Sequence, residues 1–195
     1  ATFEATRVHQ FVASFADAVR LLPAGVNLSR SDLVLPQRTE EARFEAEMHR
    51  IQADLAQWLA AKGMQDYLAM EFSQDGLTLR FADSLLFQTG SAALSVKILP
   101  LLDRIGESIH QTRYAVRIEG HTDNVPIRTR RYPSNWELST ARAVNVLRYL
   151  IKHRDVPAHR LTAVGCSAYR PLTTNDNWRN RSQNRRVEII FHRGE

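Results

Sequence analysis

Apolar residues in the first third of the chain recur at the three- and four-residue spacing of amphipathic helices. One stripe runs from Val8 to Leu22 and ends at Pro23. A second helix is predicted over residues 39–62, with Gly63 as its C-cap. Its apolar seam consists of Phe44, Met48, Ile51, Leu55 and Trp58. This seam is typical of a helix that packs on its own chain or on a second copy, and the pattern leaves both open.

Farther along the chain the pattern becomes one of strands alternating with helices. Strands are predicted at 67–73, 76–81, 114–120, 161–165 and 187–191. Helices are predicted at 92–110 and from a capping box at Ser134 to about residue 153. This order indicates an α/β (α+β) fold in which a sheet carries helices on one face, preceded by N-terminal helices. We place the boundary between residues 1–70, a helical segment, and residues 71–195, the α/β domain.

Charge is distributed unevenly between these two parts. Residues 1–70 hold seven Lys and Arg against nine Asp and Glu, and residues 71–195 hold 19 against 12. The second part therefore carries +7, which suits an anionic partner, but charge alone favours a basic surface that merely confers solubility. Nucleic acid is not expected as a partner, because the aromatic residues do not interleave with the basic ones as a stacking platform requires.

The sequence gives little support to an enzyme. It holds a single cysteine, Cys166, and no HExxH or GxSxG motif, so neither a metal nor a cofactor is expected. His121 and Asp123 lie close in sequence, but one histidine beside one aspartate at a strand end is more often structural. No run of 18 apolar residues is present and the first residues do not form a signal peptide, so any export or membrane element would lie outside this sequence.

One stretch combines a strand exit with a helix start. Asp123 follows the strand at 114–120, where a side chain leaves the sheet edge. Asn135, Ser139 and Arg142 are spaced to share one face of the next helix, whose first turn carries free N–H groups. A carboxylate opposite a guanidinium would suit a zwitterionic ligand. Spacing alone favours an ordinary Asp123–Arg142 surface ion pair over such a pocket.

Five separated blocks resemble the signature of the OmpA C-terminal domain family. They are Leu85-Leu86-Phe87, Gly90-Ser91-Ala92, Gly120-His121-Thr122-Asp123, the helix start Asn135 to Ala143, and Asn184-Arg185-Arg186-Val187. The resemblance covers about residues 80–192. It implies a βαβαββ mixed sheet that binds peptidoglycan without cutting it, through the zwitterionic diaminopimelate of the stem peptide.

Carried over by motif position, the resemblance assigns roles to individual residues. Asp123 would hold the ligand's ammonium group and Arg142 its carboxylate. The remaining members of the implied site are Thr122, Asn135, Leu138, Asn184 and Arg185. Arg185 or Arg186 could instead brace the entry of the last strand.

The insert Arg128–Pro133, together with the following Ser134-Asn135-Trp136-Glu137-Leu138-Ser139, resembles the branch found in flagellar stator proteins of the MotB type. This branch implies a periplasmic domain that anchors a stator unit to the cell wall, an inner-membrane helix absent from this chain, a MotA-type partner and a homodimer. The stripe from Val8 to Leu22 could then be a plug segment, or simply a helix packed on the domain. The same family also implies an alternative, in which the domain anchors a type VI secretion component or an outer-membrane protein.

Overall fold

The computed structural model describes residues 36–73 and 75–193. The predicted stripe from Val8 to Leu22 lies outside these residues. None of the helices in the described ranges is long and apolar enough to cross a membrane.

Helix α1, Pro36–Lys62, confirms the second predicted helix. Gly63 follows it with φ +64°, the left-handed conformation of a glycine C-cap. Four of the five predicted seam residues are fully buried, whereas the next buried position is Leu59 rather than Trp58, which is half-buried. A straight helix turns by 3.6 residues, so its buried stripe drifts away from a strict heptad seam. The stripe packs in the core of its own chain, which decides between the two alternatives that the sequence left open.

Five strands form one mixed sheet in the order β1-β2-β5-β3-β4. The strands are β1 Ala69–Ser73, β2 Gly76–Ala82, β3 Ala115–His121, β4 Leu161–Gly165 and β5 Arg186–His192. Strands β3 and β4 are parallel, and the other neighbouring pairs are antiparallel. All five predicted strands are confirmed, and β1 and β2 pair as the predicted hairpin with Ser73 opposite Gly76.

The remaining α-helices are α2 Asp83–Leu86, α3 Leu99–His110, α4 Asn135–Arg154 and α5 Trp178–Asn184. Helix α3 begins later than predicted, because Pro100 lacks an amide hydrogen and fits only the first turn of a helix. Helix α4 begins where the capping box placed it. Short α2 and α5 were not predicted, since neither has enough residues to show a helical period.

The sheet has one apolar and one charged face. Val116 and Ile118 of β3 and Val187 and Ile189 of β5 point into a hydrophobic core shared with α1, α3 and α4. The alternate residues of the central strands form what we call the polar face. It comprises Arg80, Arg117, Glu119, His121, Arg186 and Glu188. The predicted arrangement of helices on one face is confirmed, because the period-two pattern directs only one set of side chains to them.

Residues 41–195 form one compact unit. From Glu41 onward, α1 therefore belongs to the same unit as the sheet. The division of the chain into a segment 1–70 and a binding domain 71–195 stays a prediction about function.

Candidate functional site

Several polar residues meet at one edge of the sheet because of its topology. Strand β5 runs antiparallel to both β2 and β3, so the ends of β2 and β3 lie beside the beginning of β5. Asp83 follows β2, Asp123 lies two residues beyond β3, and Arg185 immediately precedes β5. The fold thus gathers two carboxylates and a guanidinium from distant parts of the sequence.

Helix α4 brings a second guanidinium to this edge. Ser134 caps the helix by accepting a hydrogen bond of 3.1 Å from the Trp136 amide. Strand β3 lies close against the helix at Gly120, where a Cβ atom would lie 2.2 Å from the Ser139 carbonyl oxygen. Only glycine permits this approach, which explains its place in the Gly-His-Thr-Asp block.

Arg142 of α4 is held in place from three sides and is only 2% exposed. Its Nη1 lies 2.8 Å from Asp83 Oδ1, its Nε donates to the Ser91 carbonyl oxygen at 3.0 Å, and its guanidinium lies 5.1 Å from the centroid of the Phe87 ring. Burial lowers the pKa of Arg142, and the charge of Asp83 opposes this shift. The guanidinium is therefore a fixed, desolvated cation.

Asp83 is the partner that sequence reasoning missed. Burial raises its pKa to about 6, and the positive charges of Arg142 and Arg185 only partly oppose the shift. The carboxyl group is thus poorly stabilised as an anion. The rule that singled out Asp123, an acidic residue just after a strand, could have found Asp83 as well.

Asp123 is also buried, and its carboxylate is hydrogen-bonded on both oxygens. Oδ1 accepts from the Val125 amide at 3.0 Å, and Oδ2 accepts from Arg185 Nη1 at 2.5 Å. The Arg185 side chain is 40% exposed, so this ion pair lies at the border of solvent. Asp123 and Arg142 do not pair with each other, so the ion pair that spacing alone suggested is wrong. Two separate pairs, Asp83–Arg142 and Asp123–Arg185, replace it.

A cleft of about 1000 Å³ brings both pairs to a common surface. Among its walls are six of the seven residues that the resemblance implied, namely Asp123, Arg142, Thr122, Asn135, Leu138 and Arg185. The Thr122 hydroxyl is buried without a hydrogen-bond partner among the described residues. Apolar surface comes from Phe87, Val125 and Ile127. The cleft therefore offers paired charges and one unsatisfied hydroxyl against an apolar wall.

Asn135 and Leu138 shape the cleft. Asn135 Nδ2 donates to the carbonyl oxygens of Asp123 and Val125, at 3.3 and 3.0 Å, and so ties the loop after β3 to the start of α4. Leu138 is buried in a small cluster with Ala92 and Tyr132. Both residues fix the position of the charged groups.

Asn184 is not brought into the cleft. It is fully buried, and its side-chain oxygen accepts hydrogen bonds from the amides of Leu172 and Thr173, at 2.9 and 3.1 Å. Its Nδ2 donates to the Thr173 carbonyl oxygen and to Asn175. An amide so fully used by the chain has nothing left to offer a ligand, so Asn184 holds the loop before α5 in place.

One group of residues on the polar face has the composition of a metal site. The side-chain ligand atoms of Glu119, His121 and Cys166 lie within 4.8 Å of one another, and all three residues are buried. Arg117 Nε lies 2.6 Å from one Glu119 oxygen, and Arg170 Nη1 lies 3.4 Å from the other. Burial also raises the pKa of the Cys166 thiol to about 11. Two neighbouring guanidinium groups and a protonated thiol disfavour a divalent cation here.

The geometry of the cleft suits a ligand that carries both charges. An ammonium group would find the carboxylates of Asp83 and Asp123, and a carboxylate would find two guanidinium groups.

Comparison with known proteins agrees with this geometry. Residues 86–185 match the model of the OmpA family. The chain belongs to the OmpA family. This confirms the resemblance, and the matched segment begins at α2 and ends at Arg185, so it contains all of the cleft residues except Ala82, Asp83 and Ser84.

Individual relatives include motility proteins and cell-wall anchors. Motility protein B of Bacillus subtilis is 32% identical over 153 residues, which are 77% of this chain and 58% of that protein. A MotB-like protein from Desulfovibrio vulgaris superposes with a TM-score of 0.70 at 28% identity, covering 78% of this chain and 98% of the other. The cell wall anchor of the type VI secretion system from Pseudomonas aeruginosa superposes with a TM-score of 0.64 at 39% identity, covering 71% and 96%. The chain spans about half the length of the curated relatives it matches.

Proposed function

We propose that this OmpA-family domain binds peptidoglycan without covalent attachment and anchors a flagellar stator unit to the cell wall. Its ligand is the zwitterionic end of a diaminopimelate-containing stem peptide. The observation that carries the proposal is the meeting of Asp83, Asp123, Arg142 and Arg185 in one cleft. Since peptidoglycan lies outside the cytoplasm, the domain acts in the periplasm.

In the bound state, the ligand's carboxylate approaches Arg142 and its ammonium group approaches Asp123. Arg142 is already oriented by Asp83 and Ser91, so little side-chain entropy is lost on binding. The ammonium group would also face Asp83, whose charged form gains a further cation beside Arg142 and Arg185. The Thr122 hydroxyl supplies a further hydrogen bond at the same place.

Anchorage requires holding rather than turnover, so we propose no catalytic step. Each domain binds one stem peptide, and two domains in a homodimer hold the wall more strongly through effective concentration. The buried stripe of α1 is already used within the chain, so the dimer contact must lie elsewhere. A MotA-type membrane subunit and an inner-membrane helix complete the stator unit in this proposal.

The test is retention on purified sacculi together with titration of a diaminopimelate-containing tripeptide. Arg142→Lys keeps the positive charge next to Asp83 but removes the fork that a carboxylate requires. Asp123→Asn removes the anion that faces the ammonium group. We expect each change to weaken tripeptide binding about 10- to 100-fold, because charge-assisted hydrogen bonds in a desolvated cleft are lost.

The matched control is Arg130→Gln, which removes an exposed arginine from the insert without touching the cleft. Its retention on sacculi should equal that of the unchanged protein. Thermal melting of every variant separates lost binding from lost folding. Unchanged tripeptide affinity in both cleft variants would refute the proposal.

The identity of 39% with the type VI secretion anchor supports a second candidate, in which the same cleft anchors that machine instead. Both candidates share the ligand, so sacculi cannot separate them. Affinity purification of the full-length protein from its own cells does so. Recovery of a membrane stator subunit supports the first candidate, and recovery of secretion-system components supports the second.

A further inference from the structure

A second groove lies on the other side of the N-terminal half of α4. It has a volume of about 530 Å³ and is separate from the cleft. Its walls include Arg131, Tyr132, Trp136, Glu137, Asn145 and Arg148. Ile127 lines the cleft and Arg131 lines the groove, so the chain passes from one to the other within the insert Arg128–Pro133.

Trp136, which lines this second groove, belongs to an exposed aromatic pair. The Trp136 and Tyr169 rings stack with centroids 5.3 Å apart and an interplanar angle of 19°. Trp136 is 47% exposed and Tyr169 is 75% exposed. Large aromatic side chains gathered on a surface are typical of a binding surface, because exposing them to water carries a free-energy cost.

The polar groups of the groove have mixed charge. Arg131 and Arg148 are exposed, and Glu137 lies between them in sequence and lines the same groove. Asn145 uses its Nδ2 to donate to the Ala92 carbonyl oxygen, which fixes its side chain. The groove thus combines two guanidinium groups, one carboxylate and the flat apolar ring of Trp136. This mixture favours a neutral ligand rich in hydroxyl and amide groups over a polyanion.

We propose that this second groove binds the N-acetylated sugar backbone of the same peptidoglycan strand whose stem peptide occupies the cleft. The apolar C–H face of a pyranose ring packs on Trp136, while Arg131 and Arg148 donate to hydroxyl and acetamido oxygens. This inference rests on the proposed function of the cleft.

The positions of the two sites fit a connected ligand. Asn135 lines the cleft and the next residue, Trp136, lines the groove, so the two sites approach each other at the first turn of α4. A stem peptide of about three residues spans at most about 11 Å, so a glycan attached to it must pass near this part of α4. Two weak contacts joined in this way bind more tightly than either alone.

The test uses three probes, followed by NMR. They are a peptide-free disaccharide of N-acetylglucosamine and N-acetylmuramic acid, the diaminopimelate tripeptide, and the muropeptide that joins them. The chain has three tryptophans, so its indole signals report separately on Trp58, Trp136 and Trp178. The disaccharide should shift the Trp136 signal and leave the other two unchanged.

Substitutions of Trp136 test whether the sugar contact lies at this residue. Trp136→Ala should weaken muropeptide binding about 3- to 10-fold, because one stacking contact is lost, and should leave tripeptide affinity unchanged. Trp136→Tyr keeps an aromatic face and should restore most of the affinity, which a merely loosened loop would not predict. Trp178→Ala is the control, since Trp178 is 68% exposed but lines neither the cleft nor the groove.

Each outcome bears on one proposal. If the disaccharide does not shift Trp136, or if Trp178→Ala weakens muropeptide binding as much as Trp136→Ala does, the sugar site is refuted. Binding of inorganic polyphosphate at Trp136 in place of the disaccharide would also refute it and indicate an anionic polymer. If the tripeptide fails to bind while the disaccharide binds, the function proposed for the cleft fails, and with it the claim that one strand occupies both sites, whereas the sugar contact at Trp136 remains.

Discussion

Asp83 in the cleft and Glu119 on the polar face are buried to a similar degree, 7% and 4% exposed, yet their pKa values move in opposite directions. His121 and Arg117 lower the pKa of Glu119 to about 2, against the effect of burial. Burial raises the pKa of Asp83 to about 6 despite two nearby arginines. Neighbouring side chains stabilise the ionised form of Glu119 by more than burial destabilises it, whereas the arginines near Asp83 do not fully offset the effect of burial.

The surroundings of the two carboxylates explain the contrast. Glu119 accepts from Arg117 Nε at 2.6 Å and also lies within 3.5 Å of His121, Cys166 and Arg170. Glu188 beside it is similar, since hydrogen bonds from Arg186 and Arg80 outweigh burial and lower its pKa. A buried carboxylate whose ionised form is stabilised by its neighbours contributes to the fold, whereas one that is stabilised incompletely can gain from a cationic ligand.

The largest effect on stability is expected at Glu119. Glu119→Gln removes the buried negative charge around which the side chains of Arg117, Arg170 and His121 are gathered, so their charge-assisted contacts are lost. We expect a loss of about 2–4 kcal/mol in the free energy of unfolding at pH 7, measured by urea denaturation. Tripeptide affinity of the folded fraction should not change. A stability loss below 1 kcal/mol would contradict the structural role of this network.

The next largest effect on the free energy of unfolding is expected at Asp83, where a substitution should raise stability rather than lower it. Between pH 3.8 and about 6 the folded chain keeps a proton on Asp83 that the unfolded chain has released, so this residue lowers stability as pH rises through that window. Asp83→Asn should therefore raise the free energy of unfolding by about 1–3 kcal/mol at pH 7.5. The difference from the unchanged protein should disappear by about pH 4.

Asp83→Asn also tests whether Asp83 takes part in ligand binding. If ionised Asp83 receives the ligand's ammonium group, Asp83→Asn binds the tripeptide more weakly even though it is more stable. The unchanged protein should likewise lose affinity as pH falls below about 6, where Asp83 becomes protonated. A variant that is both more stable and equally tight in binding would show that Asp83 only orients Arg142.

The smallest effect is expected at the solvent border of the cleft. Arg185→Gln breaks the pair with Asp123, but the arginine side chain is 40% exposed, so stability should change by less than about 1 kcal/mol. Tripeptide affinity should fall about 3- to 10-fold, since one of two guanidinium groups is lost. A calorimetric titration beside a thermal melt measures both quantities on the same sample.

The sequence by itself determined the strands, the long helices and most of the cleft's residues. Alternation at 187–191 and the capping box at Ser134 are local signals, because side-chain direction and helix capping depend on neighbours a few positions away. The sequence did not predict α5, because its seven residues are too few to show a helical period. It also placed the start of α3 too early, because Pro100 restricts the helix start despite the apolar stripe before it.

Only the tertiary structure decided which charges pair. Asp83, Asp123, Arg142 and Arg185 come from four separate elements, and spacing along the chain holds no information about which of them meet. The antiparallel position of β5 between β2 and β3 brings the chain ends together at one edge, and the close contact at Gly120 sets the position of α4. Burial, which raises the pKa of Asp83, is likewise a property of the packed molecule, because desolvation depends on every atom that excludes water.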